Sequence, residues 1–257
     1  MPVGPRVDNC RVEMNSWKTH EKPPEPSRDF ALFLDFDGTL VDIALAPDLV
    51  VVPPDLPAIL SDLRRRLADA VAIVSGRPTR DLDRFLQPAD ITIVAEHGAV
   101  IRMAGTAAPP PMPSWPTEWQ RSLEHFARCW PGVEIEEKSF GVSIHFRGAP
   151  QAAQAVRDMT LALAGSSKGF EVIPAKMAFE LRRSGINKGM AVRNLMRLPE
   201  FKDRVPVFIG DDVTDHDGFS VVTEMGGIPL DVAVAFDNKP ELVRDWLRSF
   251  AALPSVN

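Results

Sequence analysis

Cysteine is scarce in this chain of 257 residues: Cys10 and Cys129 are its only two, and they stand far apart. They build neither a disulfide framework nor a zinc-ligand spacing, which fits a reducing cytoplasm. Long apolar runs are also missing, none approaching the ~20 residues that span a bilayer, so no membrane segment is expected. The first 28 residues lack the apolar core of a signal peptide. They are rich in Pro, Glu, Lys and Arg and read as a flexible tail. Positive charge is not in excess: the formal net charge is −6, which argues against wholesale binding of nucleic acid. Neither an internal repeat nor a signal for a protein partner is legible. Hydrophobic residues at 45% and charged residues at 25% describe an ordinary globular protein, long enough for one large core or two small ones.

What the chain does hold is an alternation of buried strands and amphipathic helices. ALFLDF, residues 31–36, is a short continuous apolar run that suits a buried parallel strand. A helix is expected near Asp55–Ala68, where Leu56, Ile59, Leu60, Leu63 and Leu67 share a face. DAVAIVSGR, a helix over about Thr79–Leu86 and DITIVAEHGA continue the pattern. This predicts an α/β fold with a Rossmann-like, doubly wound parallel sheet. Residues 107–116 are proline-rich and read as a boundary. Thr117-x-x-Gln120 has the form of a capping box opening a helix striped with Trp119, Leu123, Phe126 and Trp130. That spacing favours core packing over sugar stacking for Trp115, Trp119 and Trp130. Two alternating strands around a turn at Phe140-Gly141, a helix over 150–164 and two more strands complete a compact α+β unit. The α/β pattern then resumes with a helix over about Asn187–Leu198, the strand VPVFIGDD, a further strand VAVAF and a closing helix over 240–252. The expected organisation is a tail (1–28), a core (29–106 with 185–257) and an insert (107–184).

In open α/β sheets ligands bind beyond the carboxyl ends of the strands. Four expected strand ends carry polar groups: Asp35-x-Asp37, Ser75-Gly76-Arg77, Glu96-His97 and Asp211-Asp212. Asp35 and Asp37, at i and i+2, point the same way if the backbone stays extended, with Phe36 turned to the core. A third carboxylate, Asp211, makes a cluster that needs a cation. Carboxylate and carbonyl oxygens without His or Cys favour Mg²⁺, which in turn implies a phosphate partner. Lys188, in the first turn of a helix, opposes the helix dipole by about 0.3–1 kcal/mol. Beside three carboxylates and a phosphate it serves better as a charge clamp. Asp215 reads both as an N-cap and as a group that holds Lys188. Asp215, Asp217, Gly218 and Glu224 fit four positions of a calcium loop, but Val213 stands at its first ligand position, which disfavours that reading.

DFDGT at 35–39, Ser75 in VSGR, Lys188 in NKG and GDDVTD at 210–215 resemble the four signatures of the haloacid dehalogenase-like phosphohydrolases. The insert resembles the C2-type cap of that superfamily. More narrowly, AEHGA at 95–99, EEKSFGVSIHFR at 136–147, FELRRSGINKG at 179–189 and GDDVTDHDGF at 210–219 are similar to trehalose-6-phosphate phosphatases, a likeness running from residue 31 to about 250. Phe146 and His216 depart from that pattern, where Tyr and Glu are usual.

The resemblance implies a Mg²⁺-dependent phosphatase acting on trehalose 6-phosphate through an aspartyl-phosphate. Its nucleophile would be Asp35 and its acid–base Asp37. Asp35, the Asp37 carbonyl and Asp211 would hold the metal, and Asp212 one of its waters. Ser75 and Lys188 would bind phosphoryl oxygens, and Asp215 would orient Lys188. Thr39 would bond a phosphoryl oxygen or fix the loop, while Arg77 and His97 would line or brace the site. Glu136 and Lys138 on one strand face, and Glu180 on another strand, resemble the family's sugar-binding residues; taken alone they would be an ordinary solvated salt-bridge face. The alternatives are a phosphatase of another sugar phosphate, such as sucrose 6-phosphate or glucosylglycerol phosphate, and a non-catalytic sugar-phosphate sensor.

Overall fold

The structure is a computed structural model describing residues 18–44, 49–107, 115–138, 141–175 and 177–253, with the Lys138 side chain outside that description. Residues 1–17 of the expected tail, most of the proline-rich boundary and the turn before Gly141 lie outside the described residues.

Five strands form a parallel array: β1 (Phe30–Leu34), β2 (Val71–Val74), β3 (Thr92–Ala95), β9 (Val205–Gly210) and β10 (Ile228–Asp231). A short β4 (Val100–Arg102) adds an antiparallel edge, giving the order β10-β9-β1-β2-β3-β4. Every residue of β1 is buried, which explains why its sequence runs apolar without alternation. The chain first winds outward from β1 to β2 and β3, then returns to lay β9 and β10 on the other side of β1. That reversal leaves a crevice at the carboxyl ends of β1 and β9, where Asp35 and Asp211 follow. Among the helices, α1 (Leu56–Arg66) lies against α8 (Pro240–Ser249), α2 (Thr79–Leu86) lies against β3, and α5 (Lys188–Leu195) lies against α6 (His216–Glu224).

The second sheet is antiparallel, in the order β5-β6-β8-β7, from β5 (Glu134–Lys138), β6 (Gly141–His145), β7 (Phe170–Ala175) and β8 (Ala178–Arg183). Its apolar face, with Val142, Ile144 and Leu181 fully buried, packs on α3 (Trp119–Cys129) and α4 (Ala153–Ser166) in a cluster separate from the large-sheet core. Trp119 and Leu123 are buried there, and Trp115 and Trp130 pack on it, so the tryptophans serve the core. Its other face carries a cross-strand row of Glu136, Ser143 and Glu180, and in the neighbouring register Gly141 stands opposite Lys138 on one side and Arg182 on the other.

Three local expectations need correction. VAVAF is not a strand: β10 ends at Asp231, and α7 (Val232–Ala235) follows, because the Asp231 side chain accepts from Ala233 N at 2.8 Å and Val234 N at 3.3 Å and starts a helix. The Thr117–Gln120 capping box does not form; α3 starts after Glu118 without a side-chain cap. Part of the segment expected as a tail is bonded to the body: Thr19 Oγ accepts from Asp231 N at 2.8 Å, and Trp246 Nε1 donates to Pro24 O at 2.8 Å. No described helix is long and apolar enough to cross a membrane.

Candidate active site

Asp35 leaves the end of β1 buried, its backbone N–H bonded to Ile209 O of β9 at 2.9 Å. Its carboxylate meets Lys188, whose Nζ donates to Asp35 Oδ1 at 2.7 Å and to Asp215 Oδ1 at 2.6 Å. Lys188 can stand at the start of α5 because Asn187 caps that helix, accepting from Met190 N at 2.7 Å. The lysine side chain is only 2% exposed, so its charge is matched by neighbours instead of water. Asp215 spends its second oxygen on the backbone N–H groups of Asp211 and Asp212, at 3.0 and 3.1 Å. Both of its oxygens are thus engaged. It shares the cap of its own turn with Asp212, which accepts from Thr214 N and Oγ at 2.7 and 2.6 Å.

Oxygens of Asp35, Asp211 and Asp215 all lie within 4.8 Å of one another. The donor set is oxygen alone, which suits a hard divalent cation such as Mg²⁺. With Asp215 committed to Lys188, Asp35 and Asp211 are the two carboxylates best placed to hold one, and Thr39 Oγ, bonded to Asp35 Oδ2 at 3.3 Å, braces them. The electrostatics point the same way. Burial pushes the Asp35 carboxyl up to about 6, against the attraction of Lys188. Burial and the neighbouring Asp215 and Asp212 charges push Asp211 up to about 6. Burial and the Asp35 charge push Asp215 up to about 7. For Lys188 burial also opposes charge, but the Asp35 and Asp215 carboxylates outweigh it and hold the ammonium above its ordinary value. The two directions are consistent: one lysine is fully paid in negative charge, while three carboxylates share a single cation.

Asp37 stands apart from this trio. Arg77 grips it through both oxygens, at 2.6 and 2.7 Å. Ser75, buried at the end of β2, accepts from Arg77 N at 3.1 Å. These groups line a cavity of about 450 Å³ together with Lys188, Asp212 and Thr214. A second cavity, about 550 Å³, continues from His97 and Lys188 to Gly141, Glu180, Arg182 and Arg183 of the antiparallel sheet. Asp35, Asp37, Ser75, Arg77, Lys188, Asp211, Asp212 and Asp215, remote in sequence, therefore gather at one crevice. Glu180 faces it from the second sheet. Glu136 lies two strands further on in the same row, beyond Ser143, bonded to His145 at 2.9 Å. Asn187, Thr214 and Arg183 also line this space and were not singled out as site residues from sequence; Asn187 carried the signal of a polar residue directly before a helix. The bidentate Arg77–Asp37 pair had no sequence signal at all.

A family model described as trehalose-phosphatase matches residues 33–241. A probable trehalose-phosphate phosphatase of Sinorhizobium fredii is 36% identical over 214 residues, covering 79% of this chain and 77% of that protein. The trehalose-6-phosphate phosphatase of Escherichia coli is 32% identical over 211 residues, covering 81% and 79%. Among solved structures, an Aspergillus fumigatus trehalose-6-phosphate phosphatase superposes with a TM-score of 0.68 at 23% identity, over 87% of this chain and 92% of that one; at that identity the likeness speaks for the α/β fold alone.

Proposed function

The chain belongs to the trehalose-phosphatase family, a family of phosphatases, and from that membership we propose that it hydrolyses trehalose 6-phosphate to trehalose and phosphate through an aspartyl-phosphate on Asp35. The observation that carries this reading is a buried carboxylate, Asp35, bonded to Lys188 at 2.7 Å, in a crevice whose far wall is the polar face of the second sheet. Asp35 attacks phosphorus as the bond to the sugar oxygen breaks, and Asp37 gives that oxygen its proton. Water then attacks phosphorus, the Asp35–phosphorus bond breaks, and the water proton returns to Asp37. Ser75 and Lys188 hold phosphoryl oxygens, and Thr39 fixes the loop. Asp35, Asp211 and the Asp37 carbonyl would hold Mg²⁺, with Asp212 on a bound water; the ion, when bound, offsets negative charge on the transferring group.

In this proposal residues 107–184 act as a cap, closing over the site for transfer and opening to admit water. Glu136, Lys138 and Glu180 bind the sugar, and Glu180 lines the cavity. The scarcity of cysteine supports a cytoplasmic location.

Phosphate release across a panel of sugar phosphates tests the substrate, with trehalose 6-phosphate expected to lead sucrose 6-phosphate and glucosylglycerol phosphate. Asp35→Asn is expected to abolish turnover with the fold intact; appreciable remaining activity would refute the nucleophile. Glu180→Ala and Lys138→Ala should each cost about tenfold more, ~1.4 kcal/mol, on trehalose 6-phosphate than on a small phosphomonoester. Equal losses on both substrates would remove the role of the second sheet in recognition.

A further inference from the structure

Asp35 and Asp37 are two residues apart, yet different cations hold them: Lys188 holds Asp35 and Arg77 holds Asp37. The Arg77 contact is a fork, Nε on Oδ2 at 2.6 Å and Nη2 on Oδ1 at 2.7 Å. Its two partners are not equally fixed. The Arg77 side chain is 11% exposed and that of Asp37 is 36% exposed. The guanidinium sits over the rings of Phe36 and Phe85, 5.7 and 5.2 Å from their centroids, and those rings stack at 5.9 Å. Its backbone is tied at both ends of the residue, N–H to Ser75 Oγ at 3.1 Å and carbonyl from Glu96 N at 3.1 Å. Arg77 is the anchored member and Asp37 the movable one.

The fork has a chemical consequence. A side-on fork of this kind occupies the inner lone pair of each carboxyl oxygen and fixes the plane and direction of the group. With both oxygens turned to Arg77, Asp37 is parked. To face a leaving group with an inner lone pair, one oxygen has to turn away from Arg77.

We propose, resting on the phosphatase reading above, that Arg77 is a positioning residue acting through Asp37: its fork parks the acid–base carboxylate, and one arm releases an oxygen to the substrate while the other stays as a pivot. A direct grip of Arg77 on the phosphoryl group is the rival role.

The test uses Arg77→Ala and Arg77→Lys, alone and combined with Asp37→Asn. Arg77→Ala should lower kcat on trehalose 6-phosphate by ~10–100-fold, part of what a general acid supplies, with KM changed less than ~3-fold. Arg77→Lys should fall between, because lysine keeps the charge and loses the fork; it also decides the matter if the alanine variant fails to fold. In Asp37→Asn enzyme the pre-steady-state burst of p-nitrophenolate from p-nitrophenyl phosphate needs no acid, so its rate constant should be the same within ~2-fold whether residue 77 is Arg, Lys or Ala. A burst slowed tenfold by removing Arg77 in that background, or a tenfold rise in KM with kcat kept, overturns the proposal and gives Arg77 the phosphoryl group. A wild-type enzyme with no burst means that phosphoryl transfer is itself the slow step, and the split between kcat and KM for the Arg77 variants then decides the role of Arg77. A wild-type enzyme that turns over another alkyl phosphate but not trehalose 6-phosphate sinks only the substrate, and the same comparison is made on that phosphate.

Discussion

Gly38 follows Asp37 with φ +77, and a Cβ built there would lie 2.0 Å from Asp211 Oδ2. Two costs meet at this residue. The left-handed backbone costs an L-residue roughly 1–2 kcal/mol, and the collision falls on a candidate metal ligand. Asp211 has to move, so Gly38→Ala is expected to cut kcat by about a hundredfold or more, ~2.7 kcal/mol of transition-state stabilisation. Thermal unfolding should shift by only a few degrees, as for a ~1–2 kcal/mol loss spread over a chain of this size. Steady-state kinetics beside a melting curve separates the two, and unchanged kcat would mean that Asp211 is not needed where it stands. The identity of the charged groups was legible residue by residue, because strand ends in an α/β sheet collect at one edge and Asp35, Ser75 and Asp211 each end a strand. Their pairing was not. Nothing local in VSGR says that Arg77 reaches Asp37, forty positions away, since that contact exists only once β1 and β2 lie side by side.

At the scale of elements, the same dependence on packing explains what was misread. VAVAF is apolar and β-branched and so reads as a strand, but the preceding Asp231 supplies a helical cap that outweighs propensity over four residues. β4 has only three residues and pairs as an edge, too short for a period to register. The long apolar runs, β1, β2 and β9, were legible because full burial leaves no alternative composition. The α5–α6 contact carries a prediction of its own. At Gly189 a Cβ would lie 2.3 Å from Asp217 O, a backbone atom that cannot rotate aside. Gly189→Ala therefore has to push α5 off α6, at about 1–3 kcal/mol for an overpacked contact, even though alanine favours helix by about 1 kcal/mol over glycine. Because Lys188 is the adjacent residue, turnover should fall with stability. Urea unfolding checks the first and phosphate release the second; a variant as stable as wild type would show that the two helices have slack.

For the whole molecule the deciding balance is between burial and charge at the crevice. Asp35 and Asp211 at about 6 and Asp215 at about 7 all stand above the ordinary value of 3.8. The folded chain then binds more protons than the unfolded chain between about pH 4 and pH 7. Stability rises with pH only where the unfolded state binds more protons, so in this window it falls as pH rises. Lys188 acts in the same direction but far higher: its raised value adds stability that is complete below 10.5 and lost above it. Carboxylates held below their ordinary value at the surface, such as Asp55 and Asp90, act below about pH 4 and are screened to little effect. With a chelator present, the melting temperature should therefore decline from about pH 4.5 to pH 7. Millimolar Mg²⁺ should flatten or reverse that slope, because a cation bound to the ionised cluster stabilises the folded state by mass action, ~2.7 kcal/mol at a hundred times its Kd. Asp211→Asn should shrink both the slope and the response to Mg²⁺. A melting temperature that rises through this window with chelator, and is indifferent to Mg²⁺ at pH 7, would mean that the three carboxylates do not need a cation to share the crevice.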